Sequence, residues 1–299
     1  MNLRSSPSIL LVGNTDRSEF RQARADIEGA GLVVAAPDVS SALSILAKTE
    51  IEPGLIVLAQ GYPGEFSPAE VDRLRRAAPL ARVLGLLGSW CEGEIRTGHP
   101  WPGAIRVYWH QWQASFQREF HWLRGGETST WSLPATASEE ERLLALPPLV
   151  PTTLRGDEAP SRSVKGGHDE PALVTISTPW FDSYDWLASA CARRDYRAIW
   201  FRPRSVLPPC PVAIAIFDAP DDPEQQRASL ELLVAATGSA PIVALADFPR
   251  ARDRDRLLAL GTAAVLSKPF LIADLFWEIE RLLAVDMRRP GRAGSPLPV

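Results

Sequence analysis

This chain of 299 residues is short of several things, and each shortage excludes a class of protein. No apolar run approaches the 18 or so residues that a membrane-spanning helix needs, so no membrane partner is expected. The start, MNLRSSPSILLVGN, has an apolar stretch too short for a secretory h-region and lacks a cleavage signal. There are only 3 cysteines, Cys91, Cys191 and Cys210, scattered and odd in number, which fits a reducing cytoplasm rather than a disulfide scaffold. No surplus of positive charge exists. The formal net charge is −4, so nucleic acid is not an expected partner. Gly13-Asn14-Thr15 follows an apolar strand, but GxGxxG is absent, so it is not a dinucleotide loop.

What is present describes a globular protein. The chain is 45% hydrophobic and 23% charged, and its length suits two domains better than one. The first α/β domain is expected over residues 1–124, with the regular alternation falling in 8–124. Its strands are Ile9–Val12, Leu32–Ala36, Leu55–Leu58, Val83–Leu87 and Ile105–Trp109. Helices between them carry apolar residues at helical spacing, such as Phe20, Ala23 and Ile27, or Val71 and Leu74. Residues 125–170 are rich in Gly, Ser, Thr, Pro and charge and read as a flexible linker. It holds one short helix, capped by Ser138 with Glu141 and ended by Pro147-Pro148. The second α/β domain is expected over 171–286, and residues 287–299 read as a disordered tail. Strand–helix alternation of this kind argues for parallel sheets.

The stretch Pro241–Phe270 concentrates the functional signal. Two short apolar runs, Ile242–Ala246 and Ala263–Leu266, flank an amphipathic helix, and Ser-Lys-Pro-Phe follows the second. Upstream, Val212–Phe217 is a third apolar strand that ends in Asp218. In an open parallel sheet the carboxyl ends of strands gather functional groups, so Asp218 and Lys268 are expected to meet. This arrangement resembles the receiver domain of two-component response regulators. The resemblance implies a doubly wound, five-stranded parallel sheet of flavodoxin-like type. It also implies an acidic pair holding Mg²⁺ after strand 1, a phosphoryl-accepting Asp ending strand 3, a Thr or Ser ending strand 4, and a Lys-Pro after strand 5. Asp218 falls on the acceptor and Lys268-Pro269 on the Lys-Pro, whereas Ser177-Thr178 falls on the acidic pair and Ala246 on the Thr/Ser. Mg²⁺ is therefore expected only if this domain is phosphorylated; otherwise no cofactor or metal is expected. Asp182, Asp221, Asp222 and Asp247 are the remaining nearby carboxylates.

The same template fits the first half, where GLIVLAQGYPGEFS looks like the family's strand 3 and the loop after it. The acceptor position there is Ala59, the acidic pair Gly13-Asn14, the Thr/Ser Leu87 and the Lys-Pro His110-Gln111. A methyl group cannot accept phosphate, so the first half reads as a pseudo-receiver.

Two irregularities are expected. Residues 88–103 replace a fourth helix with a loop of about 16 residues, longer than most structureless connections. Only the proline-rich stretch 202–211 separates the second and third strands of the second half, too short for a helical crossover. The long loop and the strand after it hold Trp90, Cys91, Glu92, Glu94, Arg96, Trp101, Trp109 and His110. These residues suggest a candidate interaction loop, or an aromatic cover with Arg106 among its ion pairs; a Cys91–His110 nucleophile or metal site is the alternative. The helix Leu275–Leu283 offers a homodimer surface, with packing on its own sheet as the default. Arg250–Arg256 reads as a solvated helix face. The reading is a cytoplasmic, non-enzymatic signalling adaptor of two pseudo-receivers that meets other signalling proteins in a phosphorelay. The alternatives are a true phospho-receiver at Asp218 or an enzyme at residues 88–112.

Overall fold

The computed structural model describes residues 8–48, 51–94, 101–125, 129–146, 171–202 and 211–286. The chain divides into two compact units, 1–147 and 148–299. The first unit runs β1 (Ile9–Val12), α1 (Arg21–Ala30), β2 (Val33–Ala36), α2 (Val39–Lys48), β3 (Leu55–Gln60), α3 (Pro68–Ala77), β4 (Arg82–Leu87), β5 (Ile105–Tyr108), α4 (Trp112–Gly125) and α5 (Glu139–Leu144). All pairings are parallel, and the order is β2-β1-β3-β4-β5. The strand order reverses between β1 and β3, the switch point at which doubly wound sheets form a crevice.

The strands form because they are apolar on both faces. Every residue of Ile9–Val12 and Leu55–Gln60 is buried. Leu10, Val12, Ile56 and Leu58 share one face, against Val39 and Ala42 of α2 and Val71 and Leu74 of α3. Each such side chain contributes about 1.5–3 kcal/mol by leaving water. Helix starts are set by short polar side chains. Ser67 accepts the Glu70 N–H at 3.3 Å while Glu70 accepts the Ser67 N–H at 2.8 Å, a reciprocal cap on α3. Asp38 accepts the Ser41 N–H at 2.7 Å in the first turn of α2.

Residues 129–146 correct the linker expectation. They pack on the first unit instead of leading away from it. Glu119 of α4, fully buried, accepts the Ser129 hydroxyl at 2.6 Å and the Thr130 N–H at 2.8 Å. Trp131 is buried against Trp112 and Phe116, with ring centroids 6.4 and 5.9 Å apart. Arg82 donates to the Ser132 carbonyl and Arg142 to those of Thr130 and Pro134. The Ser138–Glu141 capping box is present, but Leu143 and Leu144 stay exposed, so α5 is tied down by Arg142 and not by its leucines. The rest of the expected linker, 126–128 and 147–170, lies outside the described residues, as does the tail 287–299.

The second unit runs β6 (Leu173–Ser177), α6 (Phe181–Ala192), β7 (Arg197–Phe201), β8 (Val212–Asp218), α7 (Pro223–Thr237), β9 (Ile242–Asp247), α8 (Ala251–Ala259), β10 (Ala264–Lys268) and α9 (Ile272–Asp286). Its parallel order, β7-β6-β8-β9-β10, repeats that of the first unit. Ala215, Phe217, Ala244 and Ala246 pack with Leu230, Leu233 and Leu257. On α9, Leu275, Phe276 and Ile279 are buried, so the proposed homodimer helix spends these apolar residues in the core. The stretch expected to lack a helix, 203–210, is outside the described residues. No helix among the described residues is long and apolar enough to cross a membrane.

Candidate functional site

In the second unit, Asp218 ends β8 and Lys268 ends β10, with β9 between them. The Lys268 Nζ lies 2.7 Å from Asp218 Oδ1 and 3.2 Å from Asp247 Oδ2. The Lys268-Pro269 peptide bond is cis. Burial opposes the charge on Lys268, and the Asp218 and Asp247 carboxylates outweigh it, so the ammonium is held above its ordinary pKa. The second Asp218 oxygen accepts the Thr178 hydroxyl at 2.7 Å. Thr178 also accepts the Trp180 N–H at 3.3 Å, and its carbonyl accepts the Trp200 indole N–H at 2.9 Å.

Asp218 thus has each carboxylate oxygen engaged by a side chain of its own unit. Mg²⁺ takes oxygen ligands in a near-octahedral shell. Here β6 ends in Ser177-Thr178 without a carboxylate, and the Thr178 hydroxyl faces Asp218 where a metal ligand would stand. Among the described residues no group of three or more His, Cys, Asp or Glu side chains is placed to hold a metal ion. The residues present do not fit Mg²⁺.

In the first unit the corresponding strand ends carry different residues. Ala59 is buried at the acceptor position. Gly13 has φ +109°, and a Cβ there would lie 2.8 Å from the Ala59 carbonyl oxygen, so a carboxylate at 13 has no room. The Glu19 carboxylate reaches across from the turn before α1 to accept the Ser89 N–H at 3.0 Å and the Ser89 hydroxyl, while Arg17 donates to its other oxygen at 2.8 Å. Two glycines make space for this pair. A Cβ on Gly61 would meet the Arg17 guanidinium at 2.7 Å, and one on Gly88 would meet Glu19 at 2.5 Å.

Cys91, Glu94 and Arg106 are joined through Gln60. The Gln60 amide donates to Glu94 at 3.0 Å and Arg106 pairs with Glu94 at 3.0 Å; the Cys91 thiol donates to the Gln60 carbonyl at 3.4 Å. Burial pushes the Cys91 thiol up to about 11, which leaves it protonated and poorly nucleophilic. His110 pairs with Glu92. Its Nε2 lies 3.4 Å from Glu92, it stacks on Tyr108, and burial pushes its pKa down to about 4. Burial raises the Glu92 carboxyl.

The candidate interaction loop needs correcting. Trp101 and Trp109 are core residues, 7% and 6% exposed, and Trp101 donates its indole N–H to the Phe66 carbonyl at 3.0 Å. Only Trp90 among its described tryptophans faces solvent. Arg96 lies outside the described residues. Arg17, Glu19 and Gln60 escaped sequence reasoning, although Gly61 and Gly88 were a signal that something approaches the backbone there. Also missed were the exposed aromatics Trp180, Phe181, Trp186 and Phe248 of the second unit.

No family model matches the chain, and no curated protein matches it. Among solved structures, the chain is similar to the non-phosphorylated HemR receiver domain from Leptospira biflexa. The identity is 20%, the TM-score 0.34, and the match covers 40% of this chain and 98% of that one. It is similar over 94% of its length to all of a probable two-component system response regulator/GGDEF domain protein, at 12% identity and TM-score 0.34. It is also similar to the Escherichia coli RcsC C-terminus containing a linker region and phosphoreceiver domain, at 13% identity and TM-score 0.32, over 95% of this chain and 94% of that one. These likenesses are of fold, and the chemistry is decided by the residues of this chain.

Proposed function

We propose that this chain is a signalling adaptor of two receiver-like units that works through protein–protein contacts in the cytoplasm, without phosphoryl transfer and without catalysis of its own. The observation that carries this reading is the set of residues at the strand ends of each unit. In one, Asp218 is bonded at each oxygen by Lys268 and Thr178. In the other, Ala59 is buried at the acceptor position, and Arg17, Glu19 and Ser89 form a bridge beside Gly61 and Gly88. Phosphoryl transfer needs charge neutralisation at the transferring oxygens, and no acidic pair follows β1 or β6, where Gly13-Asn14 and Thr178-Pro179 stand. The raised pKa of the Cys91 thiol and its hydrogen bond to the Gln60 carbonyl argue against a thiol enzyme at the 88–112 segment.

One observation favours a second reading. The Lys268–Asp218 contact of 2.7 Å is the acceptor–cation half of a phosphorylation site. Intact mass after incubation with acetyl phosphate and Mg²⁺, beside Asp218→Ala, separates the two. The adaptor reading expects no added phosphoryl group under conditions that label an ordinary receiver. A phosphoryl gain that disappears in Asp218→Ala establishes the second unit as a phospho-receiver and overturns the proposal.

A further inference from the structure

The carboxyl-end rim of the second unit carries an aromatic surface that no core contact explains. Trp180 and Phe181, at the start of α6, are 68% and 58% exposed, Trp186 is 52% exposed and Phe248 is 62% exposed. Isolated exposed apolar residues are ordinary, but a connected set is not. These are connected. Phe181 packs on Trp200 at 5.6 Å, Trp200 bonds the Thr178 carbonyl, and Thr178 bonds both Asp218 and the Trp180 N–H. Lys268 joins Asp218 to Asp247, the neighbour of Phe248, and Phe270, two residues on, packs on Trp186 at 6.0 Å.

Phe248 adds an independent observation. Its φ is +37°, a left-handed conformation that Cβ sterics disfavour for a bulky side chain. Strain of this kind persists where the surrounding structure imposes it, and it concentrates at binding sites. Here it turns an exposed phenyl group out beside Asp247.

The charge around the rim selects the occupant. Asp182 and Asp185 on α6, Asp218, Asp221 and Asp222 after β8, and Asp247 and Asp253 at β9–α8 supply seven carboxylates. The cations among them are five: Lys268, bonded to Asp218 and Asp247; Arg202, stacked over Trp200 at 4.6 Å; and Arg250, Arg252 and Arg256 around Asp253, with Arg256 at 3.1 Å. The rim is therefore aromatic and net acidic, which suits a segment that brings apolar side chains flanked by Lys or Arg.

We propose that this rim is the docking surface of the adaptor, and that its partner presents a cationic amphipathic segment, with Trp180 and Phe248 as anchors. The proposal rests on the adaptor reading and names its surface. The test uses the full chain and two fluorescein-labelled helical peptides of equal length, one of Leu and Lys, the other of Leu and Glu, followed by anisotropy. The Leu/Lys peptide is expected to bind, more weakly as salt rises, and the Leu/Glu peptide not to bind. Trp180→Ala with Phe248→Gly is expected to weaken binding by at least about tenfold. Its thermal midpoint should be no lower than that of the parent, because glycine relieves the φ strain at 248.

Binding within twofold of the parent in that double variant overturns the proposal, as does equal affinity for the two peptides. A dimer of the chain, seen by sedimentation velocity and lost in the double variant, also overturns it in favour of self-association. Acetyl phosphate labelling keeps the two claims apart. A labelled chain that still binds the peptide leaves the docking surface standing and removes phosphorylation independence. An unlabelled chain that fails to bind does the reverse.

Discussion

The two units share one topology and place different residues at the same strand ends. The first leaves no carboxylate at the acceptor position, because Ala59 is there and Gly13 has no room for a side chain. The second keeps the acidic residue and the lysine but locks them to each other and to Thr178. The first unit buries Trp109 and Trp112 after β5 and exposes Tyr62 after β3 and Trp90 after β4, whereas the second exposes Trp180 and Phe181 after β6 and Phe248 after β9. One topology therefore carries two different sets of residues at the same strand ends: one without a carboxylate at the end of β3, the other with an ion pair between β8 and β10.

The largest test of this contrast concerns what holds the first unit together. Glu119→Ala removes a fully buried carboxylate from Arg118, Ser129 and Thr130. Breaking a buried charged network costs about 3–5 kcal/mol. Urea unfolding followed on the full chain should show the first unit's transition moving to lower denaturant by that amount, with the second unit's transition unchanged. A loss below about 1 kcal/mol would mean that residues 129–146 are not part of the first unit's stability, and the linker expectation would return for them.

A smaller, pH-dependent effect should also be confined to the first unit. His110 is held neutral by burial, its pKa moved from 6.5 to about 4. Between those values the unfolded chain binds the extra proton, so stability is full above pH 6.5 and falls as pH drops toward 4. The whole window amounts to roughly 3 kcal/mol at most. Glu92, whose carboxyl is raised, works the other way, since its protonation favours the folded state as pH falls. His110→Phe should flatten the net decline of the first unit's stability over this range. An unchanged slope in that variant would assign the acid sensitivity to other groups.

How much of this was legible in sequence depends on the range of the contact. Strand and helix positions followed from apolar runs and from the Ser138 cap with Glu141, because those signals lie within a few residues. The meeting of Asp218 and Lys268 was also legible, since parallel topology alone brings strand ends together. The Glu19–Ser89 bridge was not; it joins side chains 70 residues apart and has no local signature. Residues 129–146 misled for a different reason. Their Ser, Thr and Pro content is that of a linker, and the position of Trp131, the buried Glu119 and the Arg82 bond to Ser132 tie them to the unit. The tryptophans at 101 and 109 show that aromatic content alone does not distinguish an outward anchor from an inward core residue.

The smallest effect is the most discriminating for the second unit. Lys268→Met removes the cation from Asp218, whose side chain is 10% exposed, and leaves only the Thr178 hydroxyl on that carboxylate. Lys268 itself is 29% exposed, so water and salt already screen the pair, and the expected cost is about 1 kcal/mol. The double variant Asp218→Asn/Lys268→Met should recover part of that loss, because no charge is then stranded. Chemical denaturation of the two single variants and the double closes the cycle. A coupling energy near zero would make the pair irrelevant to the fold and remove the physical basis for calling it a structural remnant. A coupling near 1 kcal/mol fits a constellation retained as an ion pair after its reaction was lost. The first unit, with Ala59 and His110 at the corresponding positions, has no such pair to break.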